Sequence, residues 1–342
     1  YRITAVAAHV CGAAGLLSLG ILPRILPFPF LGLAIATMIT AVGGGMIEVI
    51  ISPIIDSLPS DAKDAKMSLL HSFYCWGQVG VVLITTLAVK LIGEEYWWLL
   101  PLFWALVPAY NIMKFAKVPL MPTIPAEEKI PLGALCRSKI FFLAMVLMLC
   151  AGASELAMSQ WSSLFAEKAL GVPKVLGDLL GPCLFAVFMG IGRTIYGIWG
   201  AKLNLHRVLA LSSVLCVLCY LGASLVPNPI IALLSCALCG FSISLMWPGV
   251  LSTTSAAYPK GGTAMFGVLA VCGDIGCSVG PALTGAVSDF VSRFGAFAAS
   301  LSVTADQLGL KAGMLSAIVF PLILLLCLVL LKRALQKKKL PV

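Results

Sequence analysis

Apolar residues in this chain come in runs of roughly twenty, separated by short polar or Pro- and Gly-bearing breaks, and a bilayer core needs about twenty such residues per helix. The runs lie near residues 3–22, 30–54, 67–91, 96–115, 139–163, 176–200, 207–226, 229–250, 262–288 and 312–331. Irregular backbone cannot face lipid, so each of the ten is expected to be a spanning helix. The longest polar interval inside the chain, from Lys117 to Lys139 through Pro119, Pro122, Pro125, Glu127, Glu128 and Pro131, leaves four runs before it and six after. The pattern therefore predicts an all-α polytopic membrane protein: a four-span bundle over 1–116, a cytoplasmic linker over 117–138, and a six-span bundle with a basic tail over 139–342.

Composition agrees. Of 342 residues, 60% are hydrophobic and 11% charged, against about a quarter charged in a soluble domain. The net charge of +9 would ordinarily raise nucleic-acid binding, but its distribution argues otherwise. Sixteen basic residues fall on one side of the predicted membrane, from Arg2, Lys63 and Lys66 through Lys202, Arg207 and Lys260 to Lys337, Lys338 and Lys339. Six fall on the other, Arg24, Lys90, Lys168, Lys174, Arg293 and Lys311, and Arg193 lies within a run. Cytoplasmic loops carry the Lys and Arg excess, so both termini are expected in the cytoplasm of a multi-pass protein of the plasma or inner membrane. The excess reports topology, and no nucleic-acid partner is expected.

A repeat crosses the linker. Ser52-Pro53 precedes Gly77-Gln78-Val79-Gly80 in the first part, and Trp247-Pro248 precedes Gly273-Asp274-Ile275-Gly276 in the second; Pro to first Gly is 24 residues in one copy and 25 in the other. Gly at this spacing lets helix backbones approach closely, and repeated helix groups are common in secondary transporters. The chain opens on Tyr1 without a signal-peptide charge pattern. Four spans against six then suggest a six-plus-six parent lacking its first two helices.

With this layout the chain resembles the major facilitator superfamily, as helices three to twelve of that fold, whose two halves enclose a central cavity. A more specific resemblance lies between Glu48 and Gly77, where Glu-Val-Ile-Ile-Ser-Pro is followed by Lys-Met-Ser-Leu-Leu-His-Ser-Phe-Tyr-Cys-Trp-Gly. This is similar to the fourth and fifth helices of the fucose/galactose-type sugar:proton symporters. Ser52 and Ser68 stand where that family tends to carry Asn, and His71 where it carries Gln. The resemblance implies that Glu48 takes part in proton coupling and sugar recognition, while the changed neighbours leave the sugar open.

Three acids, Glu48, Glu155 and Asp274, sit inside apolar runs, where an acid costs about 2.5–3.5 kcal/mol on insertion scales and usually faces a cavity. Glu48 is the coupling candidate, able to take a proton from one side and release it to the other; it lies far enough along its run to snorkel instead. His71 is a second coupling candidate, because imidazole changes charge near neutral pH; a structural hydrogen bond is the alternative. Helical spacing puts Glu155, Met158 and Ser159 on one face, bordered by Gln160 and Trp161. Carboxylate, amide and indole together suit a polyol, although Trp161 also fits an interfacial anchor. Asp274 lies between two glycines, where packing is expected to shield it from lipid, with Gln78 as its repeat mate. Asn111, beside Tyr110, is a weaker substrate candidate. Gly192-Arg193, Gly197, Gly200, Lys202, His206 and Arg207 resemble the superfamily's Gly/Arg loop motif, which implies gating by Arg193 and Arg207 at the cytoplasmic end of the sixth helix.

The twelve cysteines include Cys216-x-x-Cys219 and Cys236-x-x-Cys239, but these pairs lie in apolar helices without His or charged partners. Helix packing explains them better than a metal or a disulfide framework. No phosphate-binding loop or catalytic motif occurs, so neither an enzyme nor a bound cofactor is expected, only a coupling ion, H⁺ or Na⁺. The reading is a monomeric carrier, embedded in the lipid bilayer, for a sugar-like small molecule. The rivals are an exporter of amphipathic compounds, its cavity lined by Met158, Trp161, Phe165 and Trp247, and a protein that only binds or scrambles lipid.

Overall fold

The computed structural model describes residues 1–121 and 125–337; Pro122 of the linker and Lys338 and Lys339 of the tail lie outside the described residues. Ten helices among the described residues are long and apolar enough to cross a membrane: α1 Arg2–Ile25, α2 Pro29–Asp56, α3 Lys63–Ile92, α4 Leu99–Lys117, α5 Lys139–Ala169, α6 Lys174–Lys202, α7 Leu205–Leu225, α8 Pro229–Ala257, α9 Gly262–Ser292 and α10 Ala305–Lys337. No strand occurs among them. Proline punctuates as its chemistry requires: α1 stops before Leu26-Pro27, and α2 and α8 each begin on a proline, where the missing N–H is harmless.

Two compact units form, Tyr1–Pro59 with Gly80–Glu128, and Ser60–Val79 with Lys129–Val342. In the first, α1 and α2 are an antiparallel pair whose backbones touch at glycine. A Cβ on Gly43 would lie 2.7 Å from the Ala8 carbonyl oxygen, and one on Gly15 2.6 Å from the Thr40 amide nitrogen. The start of α4 is tied to the end of α1 by Arg24, whose guanidinium sits 4.2 Å over the Trp98 ring. At the other end His9 stacks on Phe115 at 5.0 Å and Arg2 donates to the Val118 carbonyl at 3.1 Å.

In the second unit α5 is the central helix, packed on α8, α9 and α10. Its apolar residues occupy every face, as a helix surrounded by helices requires. The α5–α9 contact is backbone against backbone: a Cβ on Gly276 would lie 2.8 Å from the Leu149 carbonyl carbon and 3.0 Å from the Ala153 amide nitrogen. Cys216 and Cys239, expected as packing residues, lie with sulfurs 3.9 Å apart and unbonded between α7 and α8.

The repeat does not behave alike in its two copies. Gly273 and Gly276 are both filled against neighbours, whereas a Cβ on Gly77 or Gly80 would meet no described atom within 4 Å. Close helix approach is thus a property of the second copy. Gly77→Ala is accordingly expected to leave thermal stability unchanged or slightly raised, since Ala gains about 1 kcal/mol over Gly in a helix. A marked drop in melting temperature would mean that this face of α3 is covered.

Candidate functional site

The sequence's isolated cation and one of its three membrane acids meet in the second unit. Arg193 on α6 and Glu155 on α5 are 2% and 7% exposed, with Nη2 3.4 Å from Oε2. That separation is longer than the 2.7–2.9 Å of a tight charge-assisted bond, because the guanidinium is shared among several acceptors. Nε donates to the Ser244 carbonyl at 2.8 Å, and Nη1 donates to the His71 carbonyl at 3.0 Å and to the Cys75 sulfur at 3.3 Å. The Tyr74 ring lies 5.9 Å from the guanidinium carbon. One side chain therefore joins α3, α5, α6 and α8.

Local sequence explains the convergence. A helical carbonyl accepts from the N–H four residues on, and Pro248 has none to give to Ser244. The orphaned Ser244 oxygen is the one Arg193 takes. Around Arg193 the absent side chains of glycine let the partner helices close in: a Cβ on Gly192 would sit 2.8 Å from Ser244 Cβ, and one on Gly197 would sit 2.9 Å from Leu69 Cβ. Further bonds fasten α3 to α6, from Ser68 Oγ to the Arg193 carbonyl at 2.8 Å, from Trp76 Nε1 to Thr194 Oγ1 at 3.2 Å, and from the Tyr196 hydroxyl to Asp64 Oδ2 at 2.7 Å.

The remaining candidates are dispersed. His71 is in the third turn of α3, which begins at Lys63, before the apolar run, and it enters the Arg193 network through its backbone carbonyl. Arg193 is not at the end of the sixth helix: α6 continues to Lys202, two and a half turns further on. Arg207 is exposed at the start of α7, where its backbone N–H is capped by Asn204 at 2.9 Å, and it does not join Arg193. Glu155 and Gln160 do not share a surface; the first is buried and the second exposed. Trp161 turns toward α9, donating its indole N–H to the Pro281 carbonyl at 3.1 Å. Asp274 is not shielded between its glycines. A helix turns about 100° per residue, so Gly276 faces α5 and Gly273 faces the Trp247 ring of α8, while Asp274 is exposed beside them. Gln78 on α3 is half-buried in the second unit, and Glu48 on α2 and Asn111 on α4 are half-buried in the first.

The side chains expected to line an amphipathic cavity are core instead. Met158 and Phe165 are fully buried and Trp247 nearly so, its ring filling the space a Gly273 side chain would take. Sequence reasoning missed Cys75 and Ser244 as partners of Arg193. The second was signalled by Pro248 four residues on.

A family model described as Major Facilitator Superfamily matches residues 2–281. The chain belongs to the major facilitator superfamily. A search among curated proteins gives no match. Among solved structures of the superfamily fold, the chain is similar to the E. coli fucose:proton symporter FucP, with 15% identity and a TM-score of 0.75 over 97% of this chain and 84% of that one. The human organic anion transporter MFSD10 gives 14% and 0.67 over 96% and 81%. The proton:xylose symporter XylE, solved with 6-bromo-6-deoxy-D-glucose, gives 11% and 0.65 over 93% and 79%. At these identities the likeness is one of fold. The chain is thus a multi-pass membrane protein in a superfamily whose solved relatives named here are transporters.

Proposed function

We propose that this superfamily member is a secondary active transporter coupling proton movement to symport of a sugar or other small polar solute by alternating access. The observation that carries the proposal is Glu48, an acid retained half-buried in the apolar α2 within the pattern Glu-Val-Ile-Ile-Ser-Pro, in a fold similar to that of a fucose:proton symporter. In this reading Glu48 carries the proton. Gln78, Asn111, Gln160 and Asp274, none of them buried, are the polar groups open to a solute, and Trp161 offers its ring while its N–H is held by Pro281. Glu155 and Arg193 brace the helices that move. His71 contributes a carbonyl to that brace, and Arg207 sits among the basic residues that orient both termini toward the cytoplasm.

Substrate-driven proton movement in proteoliposomes, screened across hexoses and deoxyhexoses, tests the proposal. External alkalinisation with one sugar, abolished by Glu48→Gln while sugar exchange at equal concentrations persists, is the expected result. A sugar signal undiminished in Glu48→Gln would remove the coupling assignment. Uptake that follows sodium and moves no protons would replace the coupling ion, and silence with every sugar would end the sugar reading.

A further inference from the structure

The start of α5 and the end of α10 border a cavity of about 430 Å³ at the Lys/Arg-rich end of the second unit. Three apolar residues, Ala134, Ile140 and Ala334, and three basic ones, Arg137, Lys139 and Lys337, line it. The one hydroxyl in the lining, that of Ser138, is already hydrogen-bonded to the Tyr258 hydroxyl. The three cations are exposed, and among the described residues no carboxylate lies within ion-pair distance of any of them. Gathered like charges repel, and the first amide groups of α5 add partial positive charge at the same place. The cavity is therefore built to receive negative charge.

Its depth selects the source of that charge. α5 begins at Lys139, and the apolar run of α10 ends near residue 331, less than two turns before Lys337, so the cavity lies where both helices leave their apolar runs, at the level expected for lipid headgroups. A lining that combines apolar Ala134, Ile140 and Ala334 with basic Arg137, Lys139 and Lys337 matches an amphiphile better than a free ion. Basic pockets between spanning helices bind anionic headgroups, and each Lys or Arg near the surface contributes appreciably. We propose that this cavity binds the phosphate of an anionic phospholipid, the glycerol end of the lipid resting on Ala134, Ile140 and Ala334. Nothing in the proposal depends on which solute is carried.

The test uses the purified full chain in micelles doped with phosphatidylglycerol or phosphatidylcholine, with retained lipid counted by native mass spectrometry. Phosphatidylglycerol is expected to be retained preferentially. Its apparent affinity should fall about fivefold for each charge removed in Arg137→Gln, Lys139→Gln and Lys337→Gln, singly and together. Lys332→Gln with Arg333→Gln, which removes two basic residues of α10 outside the cavity, should leave retention unchanged. Equal losses in both sets would reduce the effect to diffuse attraction and overturn the site, as would equal retention of phosphatidylcholine. Displacement of the lipid by millimolar inorganic phosphate would overturn the lipid assignment, making this a soluble-anion site. If the combined variant fails to fold, the single Lys337→Gln measurement decides by the same criterion.

Discussion

Arg193→Leu is expected to destabilise the second unit by about 3–5 kcal/mol, the usual penalty for removing one member of a buried ion pair. The penalty arises mainly from what is left behind. Glu155 would keep its carboxylate 7% exposed with its cationic partner gone, and the Ser244 carbonyl, already without a helical donor because of Pro248, would lose its remaining one. An unmet buried polar group costs about 1–3 kcal/mol more than a neutral replacement of both partners. Arg193→Leu combined with Glu155→Leu is therefore expected to be more stable than Arg193→Leu alone. Arg193→Lys should recover little, since an ammonium cannot reproduce the planar fork that reaches Ser244, His71, Cys75 and Glu155 together. Thermal unfolding of the four proteins in one detergent decides the matter. If Arg193→Leu melts with the parent, the guanidinium is not bracing the helices.

The same knot shows where sequence reading stops. Ten spans could be read from apolar runs because lipid imposes a length and a composition on each helix independently of its neighbours. Helix ends were harder. α10 begins at Ala305, well before its apolar run, because Thr304 and Gln307 form a reciprocal cap, a start signal set by local hydrogen bonding that hydropathy does not contain. The acid in α5 and the cation in α6 were each legible as misplaced charges, but their pairing joins residues 38 apart in sequence and sits where four helices converge. That is tertiary information. The exposure of Asp274 was hidden for a different reason: Gly273 and Gly276 on either side of it are buried, yet on a helix the adjacent residue points elsewhere. Pro248 was readable in principle, since a proline inside a span always orphans the carbonyl four residues earlier.

Gly276→Val should have the second large effect, loss of the folded second unit. Valine carries a branched Cβ into space already occupied by backbone, with Leu149 and Ala153 of α5 within 2.8–3.0 Å of the first added atom. Overpacking against side chains usually costs about 1–3 kcal/mol because rotamers can yield; here the obstructing atoms belong to a helix backbone and the whole helix must move. Gly280 meets Ala153 one turn further on, its Cβ 2.8 Å from the Ala153 Cα, and Gly152 faces Gly273 in return. Separation at one position therefore opens all of them. It would also pull Trp161 from the Pro281 carbonyl, now 3.1 Å away, and shift Glu155 on the same helix relative to Arg193. Gly276→Val should consequently yield little monodisperse protein, and Gly276→Ala should fold with a lowered melting temperature. In Gly276→Ala the blue-shifted fluorescence of a held indole should move toward that of an exposed one. A Gly276→Val protein that purifies normally with unchanged fluorescence would mean that α5 and α9 are not in backbone contact, and would remove the basis for the placement of Glu155.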